Sequence, residues 1–119
     1  MPETGTQPVD IDHLNRYTGG NRALNEEILR LFDDQCSEIL GRLEGQLLLD
    51  AADIDKIWRE SAHALKGAAR GVGAFSLGDS AAAAENTNIA DRQAAIEALT
   101  SLKTRAAIVH DFIAAVLRA

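Results

Sequence analysis

Long stretches of this chain repeat apolar residues at spacings of three and four, and none alternates apolar with polar residues as a half-buried strand would. The longest runs through Leu24, Ile28, Leu31, Phe32, Ile39, Leu40, Leu43 and Leu47, with Glu26, Glu27, Arg30, Asp33, Asp34, Glu38 and Arg42 between them. That period draws one apolar stripe along a helix, and the stripe must be buried against other helices. The composition agrees. Hydrophobic residues make up 46% of the chain but aromatic residues only 4%, so the core is built from Ala, Leu, Ile and Val, which suit packed helices better than a sandwich or barrel. The expected fold is all-α, an antiparallel four-helix bundle with a short additional N-terminal helix.

Caps and breakers divide the chain. Residues 1–9 are polar, hold both prolines and lack periodicity, so they read as a flexible N-terminal arm ahead of a single helical domain spanning 10–119. Asp10 caps a short helix through Ile11, Leu14 and Tyr17, and Thr18-Gly19-Gly20 stops it. Asn21 caps the second helix, which runs to about Leu49. Asp50-Ala51-Ala52-Asp53 forms a turn, Asp53 caps a third helix to about Val72, and Gly71 and Gly73 end it. A fourth helix is expected over Ser76 to Asn86 and a fifth from Asp91 to the C-terminus, with Leu99, Leu102, Ala106, Val109, Ile113 and Val116 inward. Phe32, Trp58, Phe75, Phe112 and the lone Cys36 are assigned to the core.

Several function classes are disfavoured. Twelve Lys and Arg against 18 Asp and Glu give a net charge of -6, which argues against a general nucleic-acid binder or an anionic membrane surface. No segment approaches the roughly 18 uninterrupted apolar residues of a membrane span, and the N-terminus lacks a secretory pattern, so a cytoplasmic protein is expected. Cys36 has no partner for a disulfide or C-x-x-C pair, and His13, His63 and His110 lie too far apart for H-x-x-x-H ligation. No metal or cofactor is expected, and nothing in the apolar pattern demands more than a monomer.

The third helix is the informative one. On a wheel of 3.6 residues per turn, Ile54, Ile57, Trp58, Ala62, Leu65, Ala68, Ala69 and Val72 fall on the side opposite His63. Lys56, Arg59, Glu60, Lys66, Gly67 and Arg70 lie within about 60° of it. His63 therefore centres the solvent face. Gly67, one turn on, leaves the imidazole unshielded, and Gly71 extends the same bare strip. Glycine inside a helix costs roughly 0.5–1 kcal/mol relative to Ala, so a close approach from outside is the natural reason for it. Residues 56–70 hold four cations against Glu60 alone, a local +3 that leaves -9 for the rest of the chain. Such a strip suits an anion at His63 or a partner with an acidic site.

The run His63-Ala64-Leu65-Lys66-Gly67-Ala68-Ala69-Arg70-Gly71-Val72-Gly73-Ala74 resembles the H-x-L-K-G signature of histidine-containing phosphotransfer (HPt) domains of bacterial phosphorelays. Thr18-Gly19-Gly20-Asn21 before the long helix fits the same pattern, and the resemblance spans roughly residues 10–118. Ala68 and Ala69 stand where many members carry Ser.

The resemblance implies that His63 accepts a phosphoryl group on Nε2 from a receiver-domain aspartate of a hybrid kinase or response regulator and passes it to another receiver. It also implies that Glu85 faces His63 and holds its Nδ1 proton. Lys66 is expected to offset the phosphoryl charge, with Arg70 assisting, while Lys56, Arg59, Glu60, Gly67 and Gly71 meet the partner. With no nucleotide-binding loop in the sequence, the expected role is a phosphocarrier rather than an autonomous enzyme, with Mg²⁺ on the receiver. The alternative is a helical adaptor that binds a receiver or kinase without phosphotransfer, His63 being incidental.

Overall fold

A computed structural model of the chain describes residues 7–48 and 54–119, and the described residues fold into five helices with no strand. They are α1 (Ile11–Thr18), α2 (Arg22–Leu48), α3 (Ile54–Val72), α4 (Phe75–Glu85) and α5 (Arg92–Arg118). Their ends follow the local chemistry of the sequence. Asp10 accepts the His13 backbone N–H at 3.2 Å, and Gly19, at φ 66°, closes α1 in the left-handed conformation that suits glycine. Asn21 accepts Leu24 N–H at 3.0 Å, and Asp91 accepts Ala94 N–H at 3.1 Å. The turn at 50–53, with its Asp53 cap, lies outside the described residues.

Helices α2, α3, α4 and α5 pack in that order around a ring that closes between α5 and α2, and α1 lies across α2 and α3. Neighbours run antiparallel. Arg92 at the start of α5 donates to the Leu47 carbonyl at the end of α2, while Arg22 at the start of α2 donates to the carbonyl of Ala119. Trp58 near the start of α3 meets Ala84 at the end of α4, and Arg70 near the end of α3 meets Asp79. This is the antiparallel four-helix bundle with an extra N-terminal helix. Its core holds Leu29, Leu43, Trp58, Leu65, Leu77, Leu102 and Ile113, all fully buried, and small Ala69, Ala81, Ala84, Ala95 and Ala106 let the helices approach closely.

Three expectations need correction. The inward line of α2 is Asn25, Leu29, Phe32, Cys36, Ile39, Leu43 and Gln46, so Leu24 and Leu31 are exposed. The polar Asn25 takes an inward position because it ties α1 to α2: its amide donates to Asn15 at 2.7 Å, and Thr18 Oγ1 donates to it at 2.6 Å. Phe75 is not core. It lies exposed at the start of α4 with its ring 5.1 Å from that of His13, edge to face. Val9 is no part of a free arm either. It is 1% exposed, and Asp10 N–H donates to Gly73 O at 2.9 Å. Gly73 has φ 92°, and a Cβ there would sit 2.7 Å from the Asp10 carbonyl oxygen. Glycine at this position therefore lets the chain before α1 cross the α3–α4 turn as well as ending α3.

Candidate functional site

The site forms where the outward face of α3 meets the last residue of α4. His63 is two-thirds exposed, and its Nδ1 lies 2.8 Å from Glu85 Oε2. The other carboxylate oxygen, Oε1, accepts from Lys66 Nζ at 2.7 Å. The hydrogen bond from Lys66, reinforced by that from His63, holds the Glu85 carboxyl below the usual carboxylate range. An ionised carboxylate can only accept, so Nδ1 is the donor of this pair, and in the neutral ring Nε2 then keeps the lone pair. Nε2 has no hydrogen-bond partner among the described residues.

His63 lines a shallow groove of about 460 Å³ together with Lys56, Arg59, Glu60, Ala64 and Glu85. The three charged residues expected at a partner interface thus border the imidazole. A second depression continues from Arg59 and Glu85 over Asp55 and the α4–α5 turn at Asn86, Thr87 and Asn88. Gly67 and Gly71 are exposed, and a Cβ at either would meet nothing within 4 Å. Gly41 and Gly45 on α2 are equally open, and Gly67 differs from them in lying one turn from His63.

Two expectations change. Arg70 does not reach His63: it lies two turns along α3, about 10 Å, where its guanidinium pairs with Asp79 at 3.4 Å. Its Cγ would be 2.8 Å from a Cβ on Gly78, so Arg70 lies flat over that glycine. The basic strip is also neutralised in three dimensions. Lys56 pairs with Glu60, Arg59 with Asp55, Lys66 with Glu85 and Arg70 with Asp79. The four cations face four carboxylates, three of them outside the stretch whose charge is +3.

One contact was not anticipated from the sequence. The fully buried Trp58 donates its indole N–H to the Ala84 carbonyl at 2.8 Å, one residue before Glu85. A lone Trp on a core face is the available signal, because a buried indole N–H needs an acceptor. Among the described residues no group of three or more His, Cys, Asp or Glu could hold a metal ion, and no helix is long and apolar enough to cross a membrane.

The sequence model of the Hpt domain family matches residues 27–116, about three quarters of the chain. The chain belongs to the Hpt domain family. The match begins within α2 and takes in α3, α4 and nearly all of α5, so it contains every residue of the His63 site and leaves out α1. No curated protein and no solved structure matches the chain significantly. Hpt domains are helical bundles that serve histidine phosphotransfer in phosphorelays, act as phosphocarriers rather than enzymes, and interact with receiver domains.

Proposed function

We propose that this chain is a monomeric cytoplasmic phosphocarrier in which His63 Nε2 takes a phosphoryl group from one receiver aspartate and gives it to another. The observation that supports this reading most is the 2.8 Å contact from Nδ1 to Glu85, which leaves the Nε2 lone pair available on an exposed ring. In the forward step Nε2 attacks the phosphorus of the receiver's aspartyl phosphate. The N–P bond forms as the acyl P–O bond breaks, and that bonding pair returns to the receiver carboxylate. With Nδ1 still protonated the phosphorylated ring is cationic, and the Glu85 carboxylate stabilises it. In the second step an aspartate oxygen of the next receiver attacks phosphorus, and Nε2 leaves as part of a neutral imidazole whose Nδ1 proton has not moved. Mg²⁺ held by the receiver would balance charge on the transferring group.

Lys66 Nζ rests on the far oxygen of Glu85 and fixes the plane of the carboxylate. The cations left for the phosphoryl group or a receiver's acidic rim are Arg59 and Lys56. Their exposed pairs within α3 hold them by only about 0.3–0.5 kcal/mol each, so they redeploy cheaply. Beyond Gly67, the groove lined by Tyr17, Ile28, Leu31, Gln35, Ala68 and Gly71 offers an apolar surface that a partner can cover.

Incubating the chain with a panel of phosphorylated receiver domains tests this reading. Transfer should yield a label that is acid-labile and alkali-stable, as a phosphohistidine is. Receivers that bind the chain without passing label would favour an adaptor instead.

A further inference from the structure

Helix ends fray unless something holds them, and the site depends on the final residue of α4. The caps on this end are mostly local. The Ala82 carbonyl accepts the Asn86 side-chain amide at 3.1 Å, the Ala83 carbonyl accepts Thr87 Oγ1 at 2.8 Å, and the Ala84 carbonyl accepts Thr87 N–H at 3.1 Å. These bonds keep the last turn wound but do not locate it against α3. The bond that ties this backbone end to another helix is the one from Trp58 Nε1 to the Ala84 carbonyl, between fully buried residues.

Trp58 and His63 stand on roughly opposite sides of α3, about 140° apart around its axis. Each meets one of two consecutive residues of α4, the buried Ala84 on the inside and Glu85 on the outside. We propose that Trp58 is a positioning residue for His63: its indole N–H locks the end of α4 in register with α3, so that Glu85 stays in line with Nδ1. A slip of the α4 end would break the Glu85 contact and let the ring sample the form protonated on Nε2, which has no lone pair to attack phosphorus. Misplacement by even an ångström is costly in a site that works by orientation.

The proposal rests on the carrier reading only for its kinetic arm, because the ring tautomer can be read without any transfer. Trp58→Phe keeps a buried ring and removes the donor. Nitrogen-15 shifts of His63 should move toward a mixture of the two neutral forms, and phosphotransfer per folded molecule should slow about three- to tenfold, the worth of one hydrogen bond. Leu102→Ala, at a fully buried position of α5, serves as a destabilised control and should leave the tautomer unchanged. An unaltered His63 tautomer in Trp58→Phe, or an equal change in the Leu102 control, overturns the proposal. A reciprocal measurement keeps Trp58 in place. Because coupling between two grips on one helix end runs both ways, Glu85→Ala should speed exchange of the Trp58 indole proton about three- to tenfold, and unchanged exchange contradicts the proposal. Absence of label on the unmodified chain would overturn the carrier reading while leaving the tautomer result standing.

Discussion

His63 and His110 both rest Nδ1 on a carboxylate from a neighbouring helix, at 2.8 Å from Glu85 and 2.9 Å from Asp33. What stands behind the carboxylate differs. Lys66 takes half of Glu85, whereas Asp33 has no cation but His110 among the described residues, and Asp111 adds a further negative charge. The Asp33 hydrogen bond and then its charge, with a lesser contribution from Asp111, push the His110 pKa above its ordinary value and outweigh desolvation. His110 is therefore held as imidazolium to higher pH than an ordinary histidine. Its folded pKa is raised, so its contribution to stability is complete below the unfolded value of 6.5 and fades as pH rises through the folded value. The stability lost in His110→Asn should accordingly be larger at about pH 5.5 than at about pH 8.5 in denaturant titrations. Glu85 carries the complementary prediction. Glu85→Gln keeps an acceptor for Nδ1 and should transfer phosphate only modestly more slowly, while Glu85→Ala should lose about ten- to a hundredfold, the scale of loss when the carboxylate behind a metal-bound histidine is removed. Equal rates for the two variants would show that the carboxylate orients nothing. The outward strip of α3 that carries His63, Lys66 and Gly67 is legible in the sequence from the wheel. The pairings of Lys66 and Arg70 are not, because both partners, Glu85 and Asp79, come from α4.

The helices themselves are legible to within a residue or two, since α1, α2 and α5 open on a capping side chain and α1 closes on a glycine, signals that act locally. The face that α2 buries was harder to read. Asn25 occupies an inward position for the sake of α1, and Leu31 stands outward in a groove it lines with Tyr17 and Gly71, so apolar spacing alone draws the stripe slightly askew. The crossing of the pre-α1 chain over Gly73 was likewise invisible, because a glycine that ends a helix and one that admits a second backbone look the same in sequence. For α3, the bare strip at Gly67 gives a direct prediction. Nothing within 4 Å opposes a side chain there, so Gly67→Gln should fold with stability unchanged or slightly raised, since the helix loses a glycine. Receiver-dependent labelling should nonetheless slow. Unchanged transfer kinetics in a folded Gly67→Gln chain would remove this strip from the docking face.

Across the whole bundle the charge of -6 resolves into local balances. The cations around His63 are all engaged with carboxylates, three of which lie outside the stretch that looked basic in sequence. Around His63 there is thus no standing positive field, and the exposed pairs there can exchange partners at little cost. The bundle contributes rigidity: a core of Leu and Ala with one Trp holds α3 and α4 in register, so that an exposed histidine meets a fixed carboxylate. The most direct test of this account compares the unmodified chain with His63→Gln, using a receiver domain that labels the former. The exposed substitution should shift stability by only about 0.5 kcal/mol, leave receiver binding measurable and abolish the alkali-stable label. Full labelling of a folded His63→Gln chain would contradict the account.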